Sequence, residues 1–400
     1  MTILKVGVIG AGGRAQVHLS TLLKLSDRYR VIAICDVNAA RAKEAAEKTR
    51  AKPYLDLEKM LDREKIDACL IAVQAEGHHI LAKMLAERGI HVLTETPMAM
   101  TLACADQMIE AARENGVFLE VSENVPRWPQ ERLKQKIVAS SVLGDIRKFY
   151  LSYLSGSYHG VAAIRSIIGS EVESVVGEFP SFESILEEEI LERAEISFLN
   201  GVKGVYEFNL NRRNYWEIIG DRGALRGNKL FLSSGKEFEI HLEKINIEGE
   251  DVIVGAKVDT SPEICFQDVP KEYLLTSHDE VAVADAWISL HEAIIDGKPL
   301  SYGAENARKD IEVLVAIRES ALQGGVRINL PLKGITEYEK LVHSEFMRVY
   351  GVDPLEIKPH QLKIKYVLPI RLRHLMYCGR ALQNLKRIPK KLLRLKYLWP

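Results

Sequence analysis

The chain has 400 residues, is 47% apolar and 27% charged, and carries a formal net charge of −1. This composition excludes a disordered or fibrous protein and leaves room for two or three domains with a large core. The five cysteines (Cys35, Cys69, Cys104, Cys265 and Cys378) are scattered, odd in number and contain no CxxC. Neither a disulfide framework nor a zinc site is therefore expected, and a reduced, cytoplasmic setting fits. Met1 leads at once into an expected core strand, so no signal peptide is expected. No apolar run reaches the roughly 18 residues that a membrane span needs.

The first third alternates apolar strands with amphipathic helices. Strands are expected at 3–10, 31–35, 68–73, 90–94 and 117–121, and helices near 14–25, 38–49, 77–88 and 101–115. Ala68-Cys-Leu-Ile-Ala-Val73 is apolar throughout, as a strand covered on both faces must be. The opening strand enters Gly10-Ala-Gly-Gly-Arg-Ala15, and the second strand ends at Asp36. Gly10 permits a tight turn, Gly12 lets main chain approach a pyrophosphate, and Ala15 keeps the helix close to the sheet. The helix N-terminus then presents N–H groups and a positive dipole end to phosphates. Asp36 stands where a carboxylate accepts bonds from ribose hydroxyls and repels a 2′-phosphate, so NAD is expected in preference to NADP. The order of strand, turn, helix, strand and acid predicts a doubly wound dinucleotide-binding domain.

From about residue 145 the pattern changes. Segments 148–154, 194–199, 204–210, 215–219 and 237–242 read as strands, many with apolar and polar residues in alternation. Asn200-Gly201 marks a turn, Glu187 to Glu189 reads as a solvated face, and helices return at 279–297 and 303–323. A large, mainly antiparallel open sheet within an α/β domain is expected here.

The chain resembles the glucose–fructose oxidoreductase and inositol dehydrogenase (Gfo/Idh/MocA) family over residues 3–332. The resemblance rests on Gly10-Ala-Gly-Gly-Arg14, Asp36 with Arg41, His78, Glu95-Thr-Pro97, Glu123-Asn124 and His159 ten residues before Gly169. Glu217-Ile-Ile-Gly-Asp-Arg-Gly223, Gly297-Lys-Pro299 and Ser320 extend it. It implies an NAD-binding domain over 1–124 and a substrate and oligomerisation domain over 125–332, with the helices at 279–323 able to pack back on the first. It implies oxidation or reduction of sugars, cyclitols or nucleotide-linked sugars, and a homodimer or homotetramer. It also implies cofactor contacts from Gly10, Gly12, Gly13, Arg14, Ala15, Asp36, Arg41, Val73, His78, Glu95, Thr96, Pro97 and Asn124.

The departures from the family pattern carry information of their own. Thr96 replaces the lysine usual between Glu and Pro, which removes a cation beside a developing alkoxide. Ser155 and Ala162 stand where the family places aspartates around His159. His159 is left as the expected proton donor or acceptor, because an imidazole titrates near neutrality, with Tyr158 beside it. Arg127, Trp128 and Arg165 are expected at the substrate: Arg165 as a bidentate anion binder if 159–168 is helical, Trp128 as a stacking surface. The adjacent His78 and His79 do not share a helix face, so no metal is expected. The direct run from Tyr150 to His159 lacks an irregular segment that family members usually carry, which makes the pocket wall different.

Residues 333–400 lie beyond the resemblance. Segment 362–400 holds eleven basic residues and no acid, whereas residues 1–361 carry −12. Leu372, Leu375, Met376, Leu382 and Leu385 recur at helical spacing, and Trp399 lies near the end. A basic amphipathic helix suits an anionic membrane surface; packing on the acidic body of its own or a partner subunit is favoured over it, because the −12 is close at hand, and few aromatics interleave the charges, which disfavours nucleic acid. The leading functional expectation is an NAD-dependent oxidoreductase. A redox-neutral glycosidase or epimerase that returns the hydride, and a non-catalytic NAD-binding sensor, are the alternatives.

Overall fold

The computed structural model describes residues 2–154, 156–180, 190–209, 212–361 and 369–379. The acidic run 187–189, Leu210 and the basic segments 362–368 and 380–400 lie outside them. The chain begins with β1 (Leu4–Ile9), α1 (Gly13–Lys24), β2 (Tyr29–Cys35), α2 (Ala39–Thr49), β3 (Lys52–Tyr54) and α3 (Leu57–Arg63). It continues through β4 (Ala68–Ile71), α4 (His78–Ala86), β5 (His91–Thr94), α5 (Leu102–Glu114) and β6 (Leu119–Val121). Next come α6 (Pro129–Ala139), β7 (Ile146–Ser152), α7 (Ser157–Ile168), β8 (Val172–Glu178), β9 (Ile190–Phe198), β10 (Lys203–Asn209) and β11 (Tyr215–Gly220). Strands β12 (Gly223–Arg226), β13 (Lys229–Leu232), β14 (Glu237–Glu239), β15 (His241–Ile247), β16 (Glu250–Val258) and β17 (Ile264–Phe266) follow. The described chain closes with α8 (His278–Asp296), α9 (Gly303–Leu322), β18 (Ile328–Asn329), α10 (Glu337–Tyr350) and α11 (Ile370–Cys378).

Two compact units emerge. The first joins Met1–Asn124, Glu272–Arg308 and Phe346–Leu368; the second joins Val125–Lys271, Lys309–Glu345 and Pro369–Pro400. In the first unit β3-β2-β1-β4-β5-β6 form a parallel sheet. Strand order reverses between β1 and β4, and ligands of such sheets bind beyond the strands' carboxyl ends at that point. Both neighbours of β1 are fully apolar in their inner residues, as double-sided burial demands. Helix α8 packs on α1, and the buried Glu120 ties it to β6: Oε2 accepts from Ser289 Oγ at 2.8 Å and Oε1 accepts from Gly303 N at 2.7 Å.

The second unit is built on a nine-stranded sheet, β14-β13-β12-β11-β7-β10-β9-β8-β18. Its pairings are antiparallel except β7 with β10. The single strand expected at 237–242 is two, because β14 pairs with β13 in the large sheet while β15 begins a separate sheet with β16 and β17. Strand β8 and the hairpin of β15 and β16 were not singled out in the sequence; their alternation is weak, and pairing partners stabilise them.

Within the tail the described residues are 369–379, and there the apolar stripe packs on the protein itself. In α11, Leu372, Leu375 and Met376 are buried within the second unit. The helix ends at Cys378 and is followed by Gly379 at φ +67°; Leu382 and Leu385 lie outside the described residues. An amphipathic stripe has the same spacing whether it faces lipid or its own protein, and over α11 the protein covers it. Among the described residues no helix is long and apolar enough to cross a membrane. Leu372→Ala should cost about 2–5 kcal/mol of stability, read as a lowered urea midpoint; an unchanged midpoint would show that α11 is not part of the cooperative core.

Candidate functional site

In the nucleotide unit the carboxyl ends of β1, β2, β4 and β5 gather most residues expected at the cofactor. Gly10 follows β1 at φ +90°, where a Cβ would come within 2.3 Å of Ala72 O. Only glycine satisfies both the backbone angle and that approach. A Cβ at Gly12 or Gly13 would instead meet nothing within 4 Å, so open space lies over the turn. Gly12 caps α1 without a side-chain bond, and no acid stands in the first helical turn. The first N–H groups of α1 therefore have neither an intrahelical acceptor nor a carboxylate competing for them. Ala15 is fully buried beneath this turn.

Asp36, at the end of β2, is largely buried. Its Oδ2 accepts from Ala11 N and its Oδ1 from Asn38 N, both at 2.7 Å. Each oxygen keeps a further lone pair. The acid thus links the glycine turn to the start of α2, where Asn38 caps the N–H of Arg41.

Glu95 follows β5 and is the electrostatic centre of the unit. Its Oε1 accepts from Arg14 Nε at 2.8 Å and lies 2.6 Å from His18 Nε2, while Oε2 accepts from Thr96 N. Burial would raise its pKa, but the Arg14 charge and the His18 and Arg14 bonds outweigh that and hold it at about 2. Trp287 Nε1 donates to His18 Nδ1 at 3.0 Å. Nδ1 is therefore the acceptor, Nε2 carries the proton, and burial keeps the ring neutral by lowering its pKa. Arg14 is left with a buried Nη2 that has no hydrogen-bond partner, and Gln74 Oε1, beyond the end of β4, is in the same condition. A guanidinium nitrogen and a glycine-lined space beside bare helix N–H groups fit the phosphates of a dinucleotide, and Asp36 fits a ribose.

His78 has a positioning part. Its Nδ1 lies 3.0 Å from Pro97 O and its Nε2 3.0 Å from Val73 O. Burial lowers its pKa, so the neutral ring donates to one carbonyl at a time and braces the loops after β4 and β5. The adjacent His79 turns to a different partner, Pro354 O at 2.8 Å. Asn124 closes the first unit, 3.5 Å from Ser122 Oγ. His18, Gln74 and Trp287 were missed in the sequence. Only His18 left a local trace, four residues after Arg14 on one helix face.

In the second unit, Gly156 precedes α7 at φ +72°, and a Cβ there would press on the Tyr158 ring. His159 lies between aromatic rings, its centroid 4.4 Å from Tyr158 and 6.2 Å from Tyr153. Tyr153 stacks on Trp216, whose Nε1 donates to Glu131 Oε2 at 3.1 Å, and Lys134 Nζ donates to Glu131 Oε1 at 2.6 Å. Arg127 is buried and Trp128 half-buried at the start of α6. Arg165 departs from the expected substrate contact. It pairs with Glu171 at 2.8 Å and with Asp310 at 2.5 Å. Six residues at about 100° each turn it roughly 120° away from His159 on the helix, and that side faces carboxylates of its own unit.

A Rossmann dinucleotide fold with an open phosphate cradle is thus joined to an α/β unit carrying a histidine on a helix. The family described as "Oxidoreductase family, NAD-binding Rossmann fold" (Gfo/Idh/MocA) matches residues 4–123. The myo-inositol 2-dehydrogenase of Thermotoga maritima is 27% identical over 253 residues, 56% of this chain and 74% of that protein. The dTDP-3,4-didehydro-2,6-dideoxy-α-D-glucose 3-reductase of Actinomadura kijaniata is 22% identical over 342 residues, 80% of this chain and 96% of that one. The WlbA dehydrogenase of Bordetella pertussis, solved with NADH and UDP-GlcNAcA, shares the fold with a TM-score of 0.64 at 21% identity, covering 82% of this chain and 98% of that one. Over residues 4–123 the chain matches the family of NAD-binding Rossmann-fold oxidoreductases (Gfo/Idh/MocA), and the relatives it resembles are sugar and cyclitol oxidoreductases.

The depressed Glu95 pKa sets a pH dependence. A carboxyl at about 4.5 when unfolded and about 2 when folded stabilises the fold fully above about 4.5, and that stability is lost as pH falls toward 2. Urea midpoints measured across this window should fall with pH in the natural protein. Glu95→Gln should flatten that segment of the curve and lower stability at neutral pH, because Arg14 then lies buried beside a neutral amide.

Proposed function

We propose that the protein is an NAD-dependent oxidoreductase that acts on a hydroxyl or keto group of a sugar-like molecule: a sugar, a cyclitol or a nucleotide-linked sugar. The observation that carries this reading is the cradle at the end of β1, where open space over Gly12 and Gly13 adjoins the buried, unpartnered Nη2 of Arg14. The names of the inositol dehydrogenase and the dTDP-sugar reductase supply the substrate class.

Gly12, Gly13, Arg14 and the first turn of α1 take the pyrophosphate, Asp36 takes the adenosine ribose and disfavours NADP, and Thr96 and Asn124 lie toward the reactive end. The bound nicotinamide supplies hydride acceptance or return. His159 takes the hydroxyl proton as a substrate alcohol is oxidised and gives it back in reduction. Its ring is oriented by Tyr153 and Tyr158 in place of the aspartates usual in the family. Thr96 offers a neutral hydroxyl where the family usually has a lysine, so less electrostatic help falls on a developing alkoxide. Arg127 and Trp128 are proposed at the substrate.

The test has two arms. Nucleotide released from the denatured protein and identified by mass should be NAD or NADH, and NADH should bind with tighter affinity than NADPH by fluorescence titration. In a turnover screen over cyclitols and nucleotide-linked sugars, His159→Ala should lower kcat by about 10²–10⁴-fold with NADH affinity retained. Full turnover in that variant would overturn the assignment of the proton step.

A further inference from the structure

Helix α7, which carries Tyr158 and His159, starts without a conventional cap. Its N-cap is Gly156, left-handed and making no side-chain bond. Glycine has the freest backbone of any residue, so the turn before the helix does not by itself fix where the helix begins. What holds the first helical residue is a side chain. Ser157 Oγ lies 2.6 Å from Tyr206 Oη, and Tyr206 Oη lies 2.9 Å from Glu192 Oε1. The carboxylate can only accept, so Tyr206 donates to Glu192 and Ser157 donates to Tyr206. Ser157, Tyr206 and Glu192 are all almost fully buried.

The chain of bonds does not stop at Glu192. Arg318 Nε donates to Glu192 Oε2 at 2.9 Å, with both side chains nearly inaccessible to solvent. Arg318 Nη1 also donates to Tyr338 Oη at 2.9 Å and to Met376 O at 2.8 Å, while Tyr338 Oη donates to Leu375 O at 2.6 Å. Those two carbonyls belong to the last turn of α11, whose dipole end is negative; Leu375 O also accepts from Gly379 N at 3.1 Å. Gly379, just beyond, comes so close that a Cβ would fall 2.8 Å from Glu192 Oε2 and 2.9 Å from Arg318 Cγ.

We infer that Ser157, Tyr206, Glu192 and Arg318 form a positioning relay that fixes the start of α7, and with it the His159 ring, and that docking of the C-terminal helix α11 completes this relay. None of the four touches the reacting atoms; they are positioning residues. The inference takes the importance of His159 from the proposed function, but the geometry of the relay is independent of it. It also gives the segment beyond residue 332 a part in the site: the last turn of α11 fills the far side of the Arg318 guanidinium.

The experiment uses the full-length chain with Tyr206→Phe and Ser157→Ala, each of which removes one hydroxyl and little volume, and with Tyr338→Phe at the far end. Histidine side-chain spectra, with the His159 cross-peak identified by its loss in His159→Gln, report the ring directly and need no substrate. The His159 cross-peak should move or broaden in Tyr206→Phe and Ser157→Ala, and to a lesser degree in Tyr338→Phe, while those of His18 and His78 stay in place. With a turned-over sugar, kcat should fall roughly ten- to a hundredfold with the KM for NAD unchanged. The double variant should be no worse than the poorer single one, as members of one chain of bonds require. If the His159 cross-peak and kcat match the natural protein in both hydroxyl variants and only the thermal midpoint falls, the relay is a structural brace and the inference is wrong. If His159→Gln itself keeps full turnover, the proposed function fails at its proton step, while the spectra still decide the relay.

Discussion

The nucleotide unit depends on one buried negative charge. Glu95 sits in the interior with a carboxylate that burial alone would neutralise, and Arg14 and His18 keep it ionised. The compensation is tight because each partner is itself constrained. Arg14 spends only Nε on Glu95, and the Trp287 indole fixes the proton of His18 on the nitrogen facing the carboxylate. The result is a guanidinium held at the glycine turn in one orientation, with a nitrogen to spare. An arginine on a free rotamer would first have to be ordered by an incoming phosphate; this one is ordered beforehand.

The second unit meets the same problem by a different route. Arg318 and Glu192 are paired in the core and each uses its remaining capacity on a structural carbonyl or hydroxyl. Removing one member of such a pair leaves an uncompensated charge, whereas removing a hydroxyl further along the chain does not. A buried ion pair is weak evidence for stability in itself, and its value here lies in direction. It specifies which strand faces which helix end. Glu131 with Lys134 repeats the arrangement under Trp216, so the helix carrying His159 is bordered by two fully paired charge clusters.

Much of the first unit was legible because its determinants are local. A strand, a glycine turn and a capped helix are written in consecutive residues, and Gly10 at φ +90° against Ala72 O is the steric demand that such a turn makes. What escaped notice depends on distant partners. Trp287 lies 269 residues from His18, Arg318 lies 126 from Glu192, and no spacing rule announces either pairing. Arg165 shows a subtler failure: its residue type suits an anionic ligand, but carboxylates of the same unit claim it. The tail shows another. Basic residues opposite a leucine stripe describe a membrane-surface helix and a docked one alike, and the burial of Leu372 and Leu375 shows α11 to be docked.

The nucleotide unit is drawn from three separated stretches of chain. By residue 124 a growing polypeptide has made all six strands of the parallel sheet and the whole glycine turn. It has not yet made Trp287, Ser289 or Gly303, so the bonds that these residues give to His18 Nδ1 and to Glu120 are still to come. The sheet therefore leaves the ribosome before its helix α1 and its edge strand β6 have been tied to α8, and it waits through the synthesis of most of the other unit for those bonds. A dinucleotide fold of this kind is complete in outline long before it is complete in energy, and during that interval it depends on whatever shields an open helix layer, a chaperone or the nascent chain itself.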